Sequence, residues 1–232
     1  MKKFALITGC SSGLGLEICN YLLELEDISG ENEYTIFGVS RSGSPISHDS
    51  YIDFQVDIKD EDQVSEMFDE IGDKCEGINL VINCAGVFEL CSLEDMESKR
   101  FKNHYETNVL GPFHIFKYVR DFIIEDLTHF ITISSIASEK GFANCSAYSS
   151  SKFALNGLID SLEEEWKQFG VKFSTLLPGA IDTPLWDDIE DFDRDKMLSI
   201  EEFLHVINMV ITAPRNLAFK KLTFLHKSGF LD

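Results

Sequence analysis

Long apolar runs are missing from this 232-residue chain, and with them any segment able to cross a membrane as a helix. The apolar stretches it does have are strand-sized. Basic residues are scarce: 20 Lys and Arg face 40 Asp and Glu, for a net charge of −20 at pH 7. A field of that sign repels nucleic acid and anionic membranes, so neither is an expected partner. A phosphate-bearing ligand would have to be held by backbone donors and a few placed cations. The six cysteines, at 10, 19, 75, 84, 91 and 145, include no C-x-x-C pair, and no histidine stands at zinc-like spacing. No disulfide framework and no metal site are expected, and free thiols fit a reducing compartment. Met1-Lys2-Lys3 leads into Phe4-Ala5-Leu6-Ile7, too short for a signal peptide and without a small-residue cleavage site. The expected location is cytoplasmic.

What is present is an alternation of strand-like runs with helix-period segments. Strands are expected at Phe4–Thr8, Tyr34–Val39, Tyr51–Val56, Leu80–Asn83, Phe130–Ser134, Lys172–Leu177 and Leu222–Leu225. Helices are expected at Leu14–Leu25, Val64–Ile71, Phe101–Ile124 (interrupted at Gly111-Pro112) and Ala147–Phe169. Parallel strands need crossovers, so this order implies an α/β fold with a mostly parallel sheet and helices on both faces. After Pro178 the pattern loosens. Residues 182–198 are acidic and aromatic, which suits a mobile segment, and Ser199-x-x-Glu202 is a capping box opening a helix over Phe203–Ile211. Glu26–Glu33 reads as a polar surface loop. No linker divides the chain, so residues 1–232 are expected to form a single domain.

Between the first strand and first helix lies Thr8-Gly9-Cys10-Ser11-Ser12-Gly13-Leu14-Gly15. Gly9 can adopt the backbone angles of a sharp turn. Gly13 lets the backbone approach a diphosphate, and Gly15 lets the helix pack tightly on the strand. The helix N-terminus offers unpaired N–H groups and a positive dipole end. This is how so acidic a chain can bind a polyanion. The G-x-x-x-G-x-G spacing differs from the common G-x-G-x-x-G.

Tyr148 and Lys152 stand four apart, on one helical face. A phenol titrates near ~10, too high for easy proton exchange at neutrality. A nearby ammonium is expected to favour the phenolate and lower that value, which suits an acid/base group.

With these two motifs the sequence resembles the short-chain dehydrogenase/reductase family, in order and over nearly the whole chain. The resemblance rests also on Asp57-Ile58, Asn83-Cys84-Ala85-Gly86, Asn108-x-x-Gly111, Ser134-Ser135, Pro178-Gly179 and Thr183-Pro184. It implies a Rossmann-like doubly wound domain with a sheet of about seven strands. It also implies an oxidoreductase in which Asn108, Ser135, Tyr148 and Lys152 are catalytic. Ser135 is preferred over Ser134 because the family's serine precedes its tyrosine by thirteen positions. In that scheme Ser135 bonds the substrate carbonyl and Tyr148 donates the proton. Lys152 lowers the tyrosine's pKa and holds the nicotinamide ribose, while Asn108 shapes its helix and supports a water relay. The implied cofactor-binding set is Gly9, Ser11, Ser12, Gly13, Leu14, Gly15, Ser40, Arg41, Asp57, Ile58, Asn83, Ala85, Gly86, Tyr148, Lys152, Pro178, Gly179, Ile181 and Thr183.

At the end of the second strand an NAD binder generally carries a carboxylate for the ribose hydroxyl. This chain has Ser40 and then Arg41, whose guanidinium suits a 2′-phosphate, so NADP(H) and the direction of reduction are expected. Cys84 departs from the family, which usually has asparagine there. The acidic stretch Asp187–Asp195 lacks the ligand order of a calcium loop. Residues 182–213 are expected to form the substrate lid. Leu185, Trp186, Phe192 and Met197, with Val87, Phe88 and Phe142, point to an uncharged apolar carbonyl compound. Diketones, quinones and pterin-like rings fit, as for the benzil and sepiapterin reductases of similar length. The same-class alternative is a 3-oxoacyl-thioester reductase. The alternative of a different class is a non-catalytic NADP(H)-binding regulator. A homodimer or homotetramer is expected, paired through the helices that carry Asn108 and Tyr148.

Overall fold

The computed structural model describes residues 3–26, 30–187, 189 and 192–229. The expectations that touch Met1-Lys2, 27–29, Asp188, 190–191 and 230–232 lie outside the described residues at those positions.

Seven strands form one sheet: β1 (Lys3–Thr8), β2 (Tyr34–Ser40), β3 (Tyr51–Gln55), β4 (Leu80–Asn83), β5 (His129–Ile133), β6 (Lys172–Pro178) and β7 (Lys221–Phe224). Their spatial order is β3-β2-β1-β4-β5-β6-β7, and every pairing is parallel. Because successive side chains point to opposite faces, β1 supplies both cores. Leu6 joins Phe37, Phe116, Phe130 and Trp166 on one side, while Ala5 and Ile7 join Ile18, Leu22, Phe203 and Ile207 on the other. The first core is covered by α2 (Glu61–Gly72), α4 (Gly111–Val119) and α5 (Ser146–Trp166). The second is covered by α1 (Gly13–Leu23) and α6 (Ile200–Ile211). The strand order runs one way from β1 and the other way from β4, which opens a crevice at the carboxyl ends of those two strands.

Two local features differ from expectation. The long helix is not broken at Gly111-Pro112. α3 (Ser98–Tyr105) passes into a π turn at Glu106–Leu110, where the N–H of Gly111 bonds the Glu106 carbonyl, and then into α4. Pro112 therefore lies in the first turn of α4, where its missing N–H costs little. Gly111 is required by a close approach, since a Cβ there would meet Ile58 at 2.5 Å. The other difference is in the loop before β2, where Asn32 bonds the Leu23 carbonyl at 2.6 Å and so ties the loop to the end of α1. The capping box at Ser199 and Glu202 forms as the sequence indicates, although α6 begins at Ile200.

Candidate active site

A cavity of about 820 Å³ opens at the crevice. One end is built by the β1–α1 turn. Gly9 has φ +82, its N–H bonds Val39 at 2.8 Å, and a Cβ there would sit 2.9 Å from Ala85. Gly15 has even less room, with Gly9 oxygen 2.3 Å from an added Cβ, whereas Gly13 (φ +57) faces open space. Thr8 locks this turn to the next strand end by accepting bonds from the N–H groups of Cys84 and Ala85, both at 3.1 Å. Ser12 at the start of α1 makes no side-chain cap, and the helix has no acidic residue in its first turn. The positive end of the helix is thus left for an anion.

At the end of β2, Ser40 is 7% exposed and its hydroxyl has no hydrogen-bond partner. Arg41 beside it is exposed on the cavity wall and has no ion-pair partner among the described residues. Asp57 and Ile58 complete this end with Lys59, which the sequence reading missed. Lys59 lies 3.7 Å from Asp57 and bonds Asn103 at 3.4 Å. It belongs to no motif, and its place next to Ile58 was the one available signal. An orphaned buried hydroxyl, an uncapped helix start and an unpaired guanidinium fit a phosphorylated dinucleotide.

At the other end, Ser135, Tyr148 and Lys152 line the cavity together with Gly86, Pro178, Gly179, Ile181 and Thr183. The Ser135 oxygen accepts a bond from the Ala137 N–H at 3.1 Å, capping a short 3-10 turn at Ile136–Ser138. Its O–H is turned to the Tyr148 phenol, which it holds below the value burial alone would give. Lys152 is buried, and its ammonium donates to the Ile133 carbonyl at 3.0 Å and lies 5.7 Å from the centre of the Tyr148 ring.

The electrostatics correct one expectation. Burial pushes the Tyr148 phenol up to about 12, while the Ser135 hydroxyl acts in the opposite direction. Burial also draws Lys152 down to about 8, with Cys84 opposing. Both groups are desolvated, and the lysine's hydrogen bond goes to a backbone carbonyl rather than to the phenol. Desolvation therefore outweighs the attraction that four-residue spacing led us to expect.

Two predicted residues do not line the cavity. Asn83 is buried beneath it, 3.4 Å from the Thr8 hydroxyl. Asn108 is fully buried in the π turn, where it accepts from the Val87 N–H at 2.8 Å and donates to the Val87 carbonyl and the Ser151 hydroxyl, both at 3.0 Å. It thereby fixes the segment after Gly86 and ties α5 to the π turn.

The roof over Tyr148 is aromatic. Phe88 meets Tyr148 edge-on at 4.8 Å and Trp186 at 5.3 Å, and Trp186 meets Phe192 at 5.2 Å. Leu185, Val87 and Phe142 also line this end. Met197, also expected there, does not: it is 5% exposed and is not among the residues that line the cavity. Arg194 bonds both Asp182 at 2.8 Å and Asp187 at 2.7 Å, tying the short turn that carries Leu185 and Trp186 to the segment after Phe192.

The model of the family described as short chain dehydrogenase matches residues 3–194. The uncharacterized oxidoreductase YusZ of Bacillus subtilis is 30% identical over 197 residues, covering 80% of this chain and 67% of its own. An alcohol dehydrogenase from Thermococcus sibiricus, complexed with 5-hydroxy-NADP, has a TM-score of 0.82 at 20% identity, with 99% and 98% of the two chains covered. A 4-hydroxyisoleucine dehydrogenase complexed with NADH has a TM-score of 0.77 at 19% identity, covering 98% of this chain and all of the other. With the parallel seven-stranded sheet and the glycine turn, the match over most of its length shows that this chain belongs to the short chain dehydrogenase family of oxidoreductases.

Proposed function

We propose that the protein is an NADPH-dependent reductase that converts an uncharged, apolar ketone, diketone or aldehyde to an alcohol. The observation that carries this reading is the convergence of Ser135, Tyr148 and Lys152 at the aromatic end of a cavity whose other end is the glycine turn. The glycine turn and the α1 N-terminus would hold the diphosphate, Ser40 and Arg41 the 2′-phosphate, and Asp57 and Ile58 the adenine side. Lys152 would hold the nicotinamide ribose, and Thr183 with the Ile181 backbone the carboxamide. The chemistry supplied by the bound cofactor is a hydride for the carbonyl carbon.

The chain's own groups do the rest. Ser135 donates its O–H to the carbonyl oxygen and holds it beside the phenol. Tyr148, whose proton burial retains at neutral pH, gives that proton to the oxygen as negative charge develops. Asn108 holds the Val87 segment and α5 in register. Residues 182–213 act as the lid, which Arg194 ties down. NADP(H) over NAD(H) is supported by Ser40 and Arg41 where an NAD binder carries a carboxylate. The 5-hydroxy-NADP of the Thermococcus sibiricus relative agrees, while the NADH of the 4-hydroxyisoleucine dehydrogenase shows that the fold serves both. Leu110 on the π turn, Phe113 on α4 and Phe153 on α5 expose apolar surface and support a homo-oligomer paired through these helices.

The test is to follow NADPH oxidation by the purified protein against diketones, quinones, pteridines and acyl thioesters, with NADH alongside. Turnover of an apolar ketone or diketone supports the reading. Preference for an acyl thioester selects the oxoacyl reductase instead, and NADPH binding without turnover of any carbonyl selects a regulator.

A further inference from the structure

A buried hydrogen-bond chain that starts at Ser134 on the cavity wall links the helix of Tyr148 to the loop of Ser135. The Ser134 hydroxyl donates to Asn156 Oδ1 at 2.8 Å, Asn156 Nδ2 donates to the Ser138 hydroxyl at 2.8 Å, and that hydroxyl donates to the Ser135 carbonyl at 2.6 Å. Ser134, Asn156 and Ser138 are 4%, 7% and 4% exposed. Every donor in the chain points the same way, toward Ser135. The Ser138 N–H also bonds the Ser135 carbonyl, at 2.9 Å.

Asn156 lies one helical turn beyond Lys152 and two beyond Tyr148, and it takes no part in the reaction proposed above. A buried amide costs stability unless it is fully bonded, and an apolar side chain of the same size would avoid that cost. What Asn156 gains is a grip on both flanks of Ser135: Ser134 through its oxygen and Ser138 through its nitrogen. One turn earlier, Lys152 holds the Ile133 carbonyl. Two ties on one helix thus fix α5 against the end of β5 and the turn that follows.

We propose that Asn156 is a positioning residue that sets the hydroxyl of Ser135 against the phenol of Tyr148. The inference rests on the reductase reading for its kinetic consequence, but the contact can be read without turnover. In Asn156→Leu both bonds of Asn156 are lost, and Ser138 loses the donor that orients its hydroxyl. In the isosteric Asn156→Asp the second oxygen cannot donate, so the Ser138 O–H turns toward the carboxylate and leaves the Ser135 carbonyl to the Ser138 N–H alone. Because the Ser135 hydroxyl holds the Tyr148 phenol below the value burial alone would give, a displaced Ser135 lets the phenol rise further.

The experiment compares wild type, Asn156→Leu, Asn156→Asp and Ser138→Ala by three measurements. These are kcat and KM for the carbonyl that wild type turns over, NADPH affinity by fluorescence, and ultraviolet difference titration of Tyr148 with Tyr148→Phe as the blank. The expected result is a kcat lower by about ten- to a hundredfold, the cost of a small misplacement of a reacting group. NADPH affinity stays unchanged and the phenol titrates at higher pH. Ser138→Ala, which breaks the chain at the next link, shifts the phenol in the same direction even if Asn156→Leu fails to fold. An unshifted phenol and unchanged kcat, with only a lower melting temperature, would overturn the proposal, as would a parallel loss of NADPH affinity. A wild type inert toward every carbonyl would sink the reductase reading, and the phenol titration would still decide the role of Asn156.

Discussion

Lys152 gives its hydrogen bond to the Ile133 carbonyl, 3.0 Å away, and faces the Tyr148 ring at 5.7 Å from its centre rather than the phenol oxygen. The tyrosine and lysine of the motif are therefore two separately desolvated groups, and at neutral pH the cost falls on the lysine, because the phenol is uncharged there.

Replacing Lys152 tests that cost. Its pKa is lowered from 10.5 to about 8, so the folded state disfavours the charged form. The penalty is fully present below pH 8 and fades as the unfolded lysine also loses its proton toward pH 10.5. At pH 7, Lys152→Met is expected to stabilise the free protein by about 2 kcal/mol, after allowance for the lost bond to Ile133, and to abolish turnover. Denaturant unfolding at pH 7 and pH 10 checks this, and the advantage of the variant shrinks at the higher pH.

The proposed preference for NADPH is tested at Arg41, on the cavity wall beside Ser40. Arg41→Ala is expected to weaken NADPH binding on the order of tenfold and leave NADH almost unaffected. Ser40→Asp goes further, because a carboxylate in that buried position repels a 2′-phosphate and accepts from a ribose hydroxyl. Fluorescence titration with both nucleotides reads the switch.

The proposed lid is tested at Arg194. Its guanidinium bonds Asp182 and Asp187 in an exposed setting, so Arg194→Ala leaves the melting temperature nearly unchanged. The expected change is a higher KM for the carbonyl with NADPH affinity preserved. Steady-state kinetics at two salt concentrations checks it, since screening weakens the wild-type contact and leaves the variant indifferent.

His129 makes the fold acid-sensitive. It is buried in β5 against the Ser174 hydroxyl at 2.9 Å, and burial holds its pKa down to about 3, from 6.5. The unfolded chain therefore binds a proton that the folded chain refuses. Stability is intact above pH 6.5 and is lost as pH falls toward 3, by on the order of 3 kcal/mol. His129→Gln is expected to flatten that slope, measured by urea unfolding between pH 7 and pH 4.

The strands and most helices were legible because buried parallel strands are continuous apolar runs and the helices keep a 3.6-residue stripe. The glycine turn was legible for a different reason: Gly9 needs its positive φ, and Gly15 has no space for a side chain. What the sequence hid were matters of three-dimensional competition. Spacing placed Tyr148 and Lys152 on one face, but not which acceptor the ammonium would choose. Gly111-Pro112 read as a break because nothing local announces a π turn five residues earlier. Asn156 stands in no motif, and its partners Ser134 and Ser138 are about twenty residues away.

The central claim is that Tyr148 is the proton donor at the reacting carbonyl. The measurement that bears on it most directly is single-turnover NADPH oxidation by wild type and Tyr148→Phe, with nucleotide binding followed in parallel. The account predicts that the variant binds NADPH as tightly as wild type and loses carbonyl reduction by about a hundredfold or more. A Tyr148→Phe protein that reduces the same carbonyl at the wild-type rate would contradict it.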